Sequence, residues 1–379
     1  MKLLKVSASN YKMCENDITF SFVPSGNKSQ EDKEYELNLI DEDLYTFNTI
    51  SIIGKNASGK TTIVNLLWIV YNLTHSFRLH NFRQVTTNFK NNLKLDITFY
   101  NDGNLYRYIT FIELKSDGLA KKFIFKDEEL YTKKYNPTTS RYLFDYSKYK
   151  KCEIIDKPID VSALYQVLKD SKDNSGMCFF AYDPDSQIFN EIIDLYNSFD
   201  ATGDIFIKTI KMFDNHIDKL EKVNKDLYKI SIKKEVREVT SLELLSILSS
   251  GTIKGIVLYA FVIYALKNGC DFIVDEIETH FHRRLVENLI VLFKDKLVNK
   301  KGSTLIFTTH YPELLDTFTR TDNILIVKYD ENIQLKSMHD YDIRNDLLKS
   351  KKYYNNAFGT DIDYEALMDL KRELMKWNI

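Results

Sequence analysis

Ile50-Ser51-Ile52-Ile53-Gly54-Lys55-Asn56-Ala57-Ser58-Gly59-Lys60-Thr61-Thr62 decides how the rest of the chain is read. The mostly apolar run from Ile50 to Ile53 predicts a buried strand. It stops at Gly54, where a G-x-x-x-x-G-K-[ST] pattern begins with Gly54 and closes on Gly59, Lys60 and Thr61. The segment TIVNLLWIVYNL follows, apolar all round, and predicts a buried helix running to about His75. Strand, glycine-bounded loop and helix in that order form the context of a phosphate-binding loop. Glycines let the backbone turn tightly, so that N–H groups along Asn56, Ala57, Ser58 and Thr62 converge on a phosphate. The helix N-terminus adds unsatisfied donors and a favourable dipole. Lys60 would reach the β- and γ-phosphates of a nucleotide, and the Thr61 hydroxyl would ligate Mg²⁺. The bland alternative is a glycine turn that binds nothing, and the flanking strand and helix argue against it.

A length of 379 residues accommodates one large domain or two with ample core. The net charge of −2 gives no global case for nucleic acid, leaving only local patches. Cys14, Cys152, Cys178 and Cys270 are scattered without a C-x-x-C pair, so zinc and a disulfide framework are disfavoured and reduced thiols expected. The start MKLLKVSASNYK lacks a long apolar region, and no run of about 18 apolar residues follows. The expectation is a soluble cytoplasmic protein with no membrane partner.

Taken in order, LLKVSASNYK and DITFSF predict two short strands around a turn at Cys14–Asp17. Residues 25–43 are polar and charged, a surface loop holding a short strand. Beyond the phosphate loop, LKLDITFY, LYRYITFIEL and LAKKFIFKDEELYTKKY alternate between Asp-Gly turns, an antiparallel meander. The stretch 135–184 carries little periodicity. From Gln187 the pattern reads as two helices, the second extending over 203–223 on a stripe of Ile205, Ile207, Ile210, Met212, Phe213, Ile217 and Leu220. LYKISIKKEVREVT alternates like a strand. Further on, strands and helices alternate as in a parallel sheet. Two helices around an Asn-Asn-Ala-Phe-Gly turn are expected at the end.

Three features in the second half carry chemistry. FIVDEIE is a buried strand ending in Asp275-Glu276. The first acid suits a nucleotide-bound Mg²⁺, the second the water that attacks a γ-phosphate. TLIFTT ends at His310, which would project from the same carboxyl edge and hydrogen-bond the γ-phosphate. Ser249-Ser250-Gly251-Thr252 opens an apolar helix, itself a phosphate-binding shape. One nucleotide sits on both glycine loops only if a fold-back or a second chain supplies one. The second arrangement is a sandwich, with Gly59, Lys60 and Thr61 of one subunit facing Ser249, Ser250 and Gly251 of the other. His280 and His282, flanking Phe281, stand with Glu276 and Glu278 as a candidate metal set, but the H-F-H spacing puts the two rings on different helix faces, which argues against zinc.

With these residues assembled, the sequence resembles the ATP-binding-cassette ATPase heads. GKNASGKTT matches Walker A, LSSGT stands in place of the LSGGQ signature, FIVDEIE matches Walker B with Glu276 as catalytic acid, and TTH supplies the switch histidine. The subgroup it is similar to is the soluble SMC- and OLD-like ATPases of the abortive-infection (AbiEii-type) group. NLKLDITFYNDGNLYRYITFIEL, DEIETHFH and TTHYPELLD resemble that group's motifs over about 1–130 and 240–330. The resemblance implies an α/β P-loop NTPase fold, an ABC-type head with a mixed, largely parallel core sheet, an antiparallel β-meander and an inserted helical subdomain. It implies ATP and Mg²⁺, with Gln84 the only nearby candidate for the glutamine that reads the metal. The insert lacks the length of an SMC coiled-coil arm.

The expected organisation is an N-terminal ATPase lobe at 1–134, a mostly helical insert at 135–240, a C-terminal ATPase lobe at 241–338 and C-terminal helices at 339–379. The leading reading is an ATP-hydrolysing switch that forms a homodimer or higher homo-oligomer across ATP. The resemblance implies a bacterial anti-phage role beside a separate effector protein, such as a nuclease, because no nuclease motif is present. The acids at Asp340–Asp342 and Asp361–Asp363 read as solvated helix starts. The alternative is an SMC- or RecF-like DNA-binding repair ATPase, with Lys121-Lys122, Lys133-Lys134, Lys150-Lys151 and Lys349–Lys352 as phosphate contacts. Tyr11 and Lys12 are the candidates for contacting adenine.

Overall fold

Thr49–Ile53 is buried at all five positions and lies inside a six-stranded sheet. The spatial order is Met177–Phe180, Asp271–Val274, Leu305–Thr309, Thr49–Ile53, Ile324–Tyr329 and Ile333–Ser337. The first five strands are parallel and the last is antiparallel. The computed structural model describes residues 1–14, 17–79, 92–117, 120–171, 177–180, 186–200, 203–279, 281–341, 348–359 and 364–377.

Both faces of this sheet are covered, which is why its strands read as continuous apolar runs rather than alternating ones. Ile50, Ile52, Ile273, Ile306, Leu325 and Val327 face the helix Lys60–Ser76 and an antiparallel sheet. Phe272, Val274, Leu305, Phe307, Ile324 and Ile326 face the helices Ser186–Phe199, Ser250–Asn268 and Arg283–Lys294. The antiparallel sheet runs in the order Ile18–Ser21, Lys2–Ser9, Leu93–Asn101, Asn104–Asp117, Ala120–Lys134 and Lys150–Lys151. The meander is therefore present and extended by the N-terminal strands. Among the described residues, Ser250–Asn268 is long and apolar enough to cross a membrane. It lies in the core instead: Phe213 packs so closely that a Cβ on Gly255 would meet its ring at 2.3 Å, and Tyr196 donates to the Ile256 carbonyl.

Three expectations are corrected. The helix Asp204–Phe213 stops where Asp214 takes extended backbone and its carboxylate accepts from the His216 N–H. Ile217 and Leu220 belong to the strand Ile217–Lys222, paired with Leu227–Ile232. A register shift between Ile217 and Lys219 adds a residue, so a three-residue spacing buries both side chains on one face of a strand and imitates a helix. The insert 135–240 is accordingly mixed rather than mostly helical. It holds a three-stranded sheet closed by Glu235–Thr240, and its strand Met177–Phe180 joins the core sheet. Finally, the loop at 25–43 contains the helix Gln30–Tyr35, started by a reciprocal capping box between Ser29 and Asp32.

Candidate functional site

The carboxyl ends of three neighbouring parallel strands deliver the chemistry: Ile53 leads into the phosphate loop, Val274 into Asp275, and Thr309 into His310. This is the edge at which open α/β sheets bind ligands. The cleft has a volume of about 580 Å³, and its lining includes Asn56 to Thr62, Glu276 and His310.

The loop geometry explains its glycines. A Cβ on Gly54 would meet the Val327 carbonyl oxygen at 2.3 Å and Ser58 Oγ at 2.6 Å. Gly59 has φ +103°, a left-handed conformation that disfavours any side chain. As the residue preceding the helix it offers no capping side chain, so the first-turn N–H groups face the cleft without that partner. Ala57 also takes positive φ, at +59°. The Ser58 hydroxyl is buried without a hydrogen-bond partner among the described residues.

Lys60 is 5 % exposed. Its ammonium donates to the carbonyls of Gly54 at 2.8 Å and Lys55 at 3.0 Å, and lies 3.5 Å from His310 Nδ1. Burial pushes its pKa down, opposed by the carboxylates of Glu276, Asp275 and Glu278. Thr61 Oγ1 donates to Asp275 Oδ2 at 2.7 Å. Across the cleft His310 Nε2 stands 3.9 Å from Glu276 Oε1. Glu276 has φ +48°, a sparsely populated conformation for a non-glycine residue that costs on the order of 1 kcal/mol. The Glu276 N–H is held by Thr308 Oγ1 at 2.6 Å.

These residues fit a nucleotide with its metal. A hydroxyl and a carboxylate sharing one hydrogen bond form the pair that a hard cation takes as oxygen ligands. The lysine now rests on carbonyl oxygens, the acceptor type that phosphate would supply in their place.

Ser249, Ser250 and Gly251 lie elsewhere. Ser249 caps the helix Ser250–Asn268, accepting from the Thr252 N–H at 3.0 Å, and Ser249 and Ser250 are exposed. None of the three lines the cleft around Lys60. Gln84 lies outside the described residues, as do Asp342 and the acids at 361–363. Tyr11 is corrected as an adenine contact, because its side chain is fully buried at the turn of the first hairpin, where its backbone pairs with Cys14, and Lys12 sits over its ring at 5.5 Å. The cleft wall next to the loop comes from Met13, Tyr329 and Ile333 instead. Sequence reading missed Met13 and Tyr329, although Met13 directly follows the two residues it singled out. Several lysines considered for nucleic acid are engaged within the chain: Lys151 with Glu129 at 2.7 Å, Lys133 with the Tyr142 carbonyl, and Lys349 with the Phe318 carbonyl.

A family model described as "AAA domain, putative AbiEii toxin, Type IV TA system" matches residues 50–316, from the phosphate-loop strand to just past His310. No curated protein matches the sequence. Among solved structures, the SMC head domain from Thermotoga maritima is similar at TM-score 0.42 and 11% identity, covering 89% of this chain and 99% of that chain.

Proposed function

Starting from the fact that the chain belongs to this AbiEii-type AAA-domain family, we propose that it is an ATP-hydrolysing switch whose two copies close around two nucleotides. The observation that carries the reading is the meeting of Lys60, the Thr61–Asp275 pair, Glu276 and His310 at one sheet edge. The signature residues Ser249, Ser250 and Gly251 stand outside that half-site, the two serines exposed and Gly251 half-buried. A second copy would bring its own Ser249 to the phosphates that Lys60 holds.

Main-chain N–H groups from Gly54 to Thr62 cradle the phosphates, and Lys60 offsets their charge. Thr61 and Asp275 would hold Mg²⁺, which would draw electron density from the phosphoryl oxygens. Glu276 takes the proton of the water that attacks the γ-phosphate, and His310 donates a hydrogen bond to that phosphate. Met13 and Tyr329 offer the surface on which adenine lies. The family description supports a role in defence with a separate partner chain, and an effector such as a nuclease would act through that partner.

The test is hydrolysis of ATP with Mg²⁺ by wild type and Glu276→Gln. Turnover by wild type and a loss of about 10²–10⁴-fold in the variant, with ATP still bound, is expected. Equal turnover in both would remove Glu276 from the chemistry. Salt-dependent binding of DNA by the variant without any ATP-dependent pairing would favour the repair-ATPase alternative.

A further inference from the structure

The turn Asp275–Glu278 and the strand end Thr308–His310 are joined by a closed set of hydrogen bonds. Thr308 Oγ1 donates to Asp275 Oδ1 at 2.5 Å and accepts from the Glu276 N–H at 2.6 Å. The Thr308 carbonyl accepts from the Ile277 N–H at 3.1 Å. Glu278 closes the ring from the other side, its Oε1 accepting the backbone N–H of His310. The second Glu278 oxygen is buried and makes no hydrogen bond among the described residues. An unpaired buried carboxylate oxygen is costly.

We propose that Thr308 and Glu278 are positioning residues that tie the aim of Glu276 to the place of His310. Thr308, fully buried on the central strand, holds Asp275 and Glu276 by one hydroxyl. Glu278 holds the main chain of His310 two residues further along. A displacement of His310 is transmitted through Glu278 and Thr308 to the turn that carries Glu276. The positive φ of Glu276 makes that turn a stressed one, kept in place by the same bonds. The coupling rests on the reading of His310 and Glu276 as γ-phosphate and water contacts, while the clasp itself is a matter of hydrogen bonds.

Two measurements on the full chain separate these. Amide hydrogen exchange over 305–311 reads the clasp without any turnover. Glu278→Ala should speed exchange of the His310 amide by roughly tenfold or more, as expected for a lost hydrogen bond to a charged group, and Glu278→Gln should stay near wild type. In turnover, Glu278→Ala should lower kcat to the level of His310→Ala with ATP Kd within about threefold, and the double variant should be no slower than either single one. Thr308→Val should lower kcat while Thr308→Ser restores it. Unchanged exchange in Glu278→Ala, or losses that simply multiply in the double variant, would overturn the proposal. A wild-type protein that turns over no ATP would remove the ATPase reading instead, and the exchange result would still decide the clasp.

Discussion

Thr61 Oγ1, in the first turn of the helix Lys60–Ser76, donates at 2.7 Å to Asp275 Oδ2, just past the strand Asp271–Val274 and 214 positions away in the chain. The hydrogen bond brings the loop hydroxyl and the strand-end carboxylate to the spacing of two ligands on one small cation. Thr61→Val and Asp275→Asn should each abolish the Mg²⁺ dependence of ATP affinity while leaving the weak metal-free affinity within about threefold, since Lys60 and the loop amides remain. Titration with ATP in the presence and absence of Mg²⁺ checks it. A variant that keeps the full metal effect would place the cation elsewhere.

Gly54 is fixed by space rather than by φ. An added Cβ would strike the Val327 carbonyl, backbone of the adjacent strand that cannot yield as a flexible side chain would. Gly54→Ala should destabilise the fold by about 1–3 kcal/mol, the usual range for overpacking a tight interior. Urea unfolding measures it, and nucleotide affinity should fall with it because the loop shifts.

Ser249 has an ordinary structural task beside the proposed one across a dimer. Its hydroxyl caps the helix Ser250–Asn268. Ser249→Ala should cost about 1 kcal/mol in urea unfolding from the lost cap alone. Ser249→Thr should preserve most of that stability, which allows the cap and any role at a partner's phosphate to be read apart.

Alkaline pH should weaken the fold through its buried tyrosines. Burial first, then the charges of Asp194 and Asp226, push Tyr228 up to about 12, and its hydroxyl donates to Asn190. Because the folded pKa is raised, this contribution is fully present below the ordinary tyrosine value near 10 and is lost as pH climbs from there towards 12. In that window the unfolded chain releases the proton and the folded one keeps it, a slope of at most about 1.4 kcal/mol per pH unit for this residue. Tyr228→Phe should show a shallower fall in the urea midpoint between pH 9 and 11 (roughly one unit either side of the free tyrosine value).

The phosphate loop, the Asp275-Glu276 strand and the His310 strand were legible because each is a short apolar run ending in residues that a strand does not need. Local spacing was enough for them. It misled at Ile217 and Leu220, where the register shift next to Lys219 gives a strand the spacing of a helix. The helix after Ser29 was readable in principle, since Ser29 and Asp32 stand three apart as a capping box does. The hydrogen-bonding roles of Thr308 and Glu278 could not have been found, because their partners lie 33 and 32 residues away and are set only by the parallel pairing of the strands. Met13 belongs to the same class: its place on the cleft wall follows from the Ile333 N–H bonding its carbonyl.

The central claim is that two chains close on ATP through Ser249, and the mass in solution of Glu276→Gln tests it most directly. With ATP and Mg²⁺ this variant should have the mass of two subunits, and should return to one subunit when ATP is left out. Adding Ser249→Arg should keep ATP binding and leave a single subunit under the same conditions. A single subunit for Glu276→Gln despite bound ATP, or an undisturbed dimer with Ser249→Arg, would contradict the account.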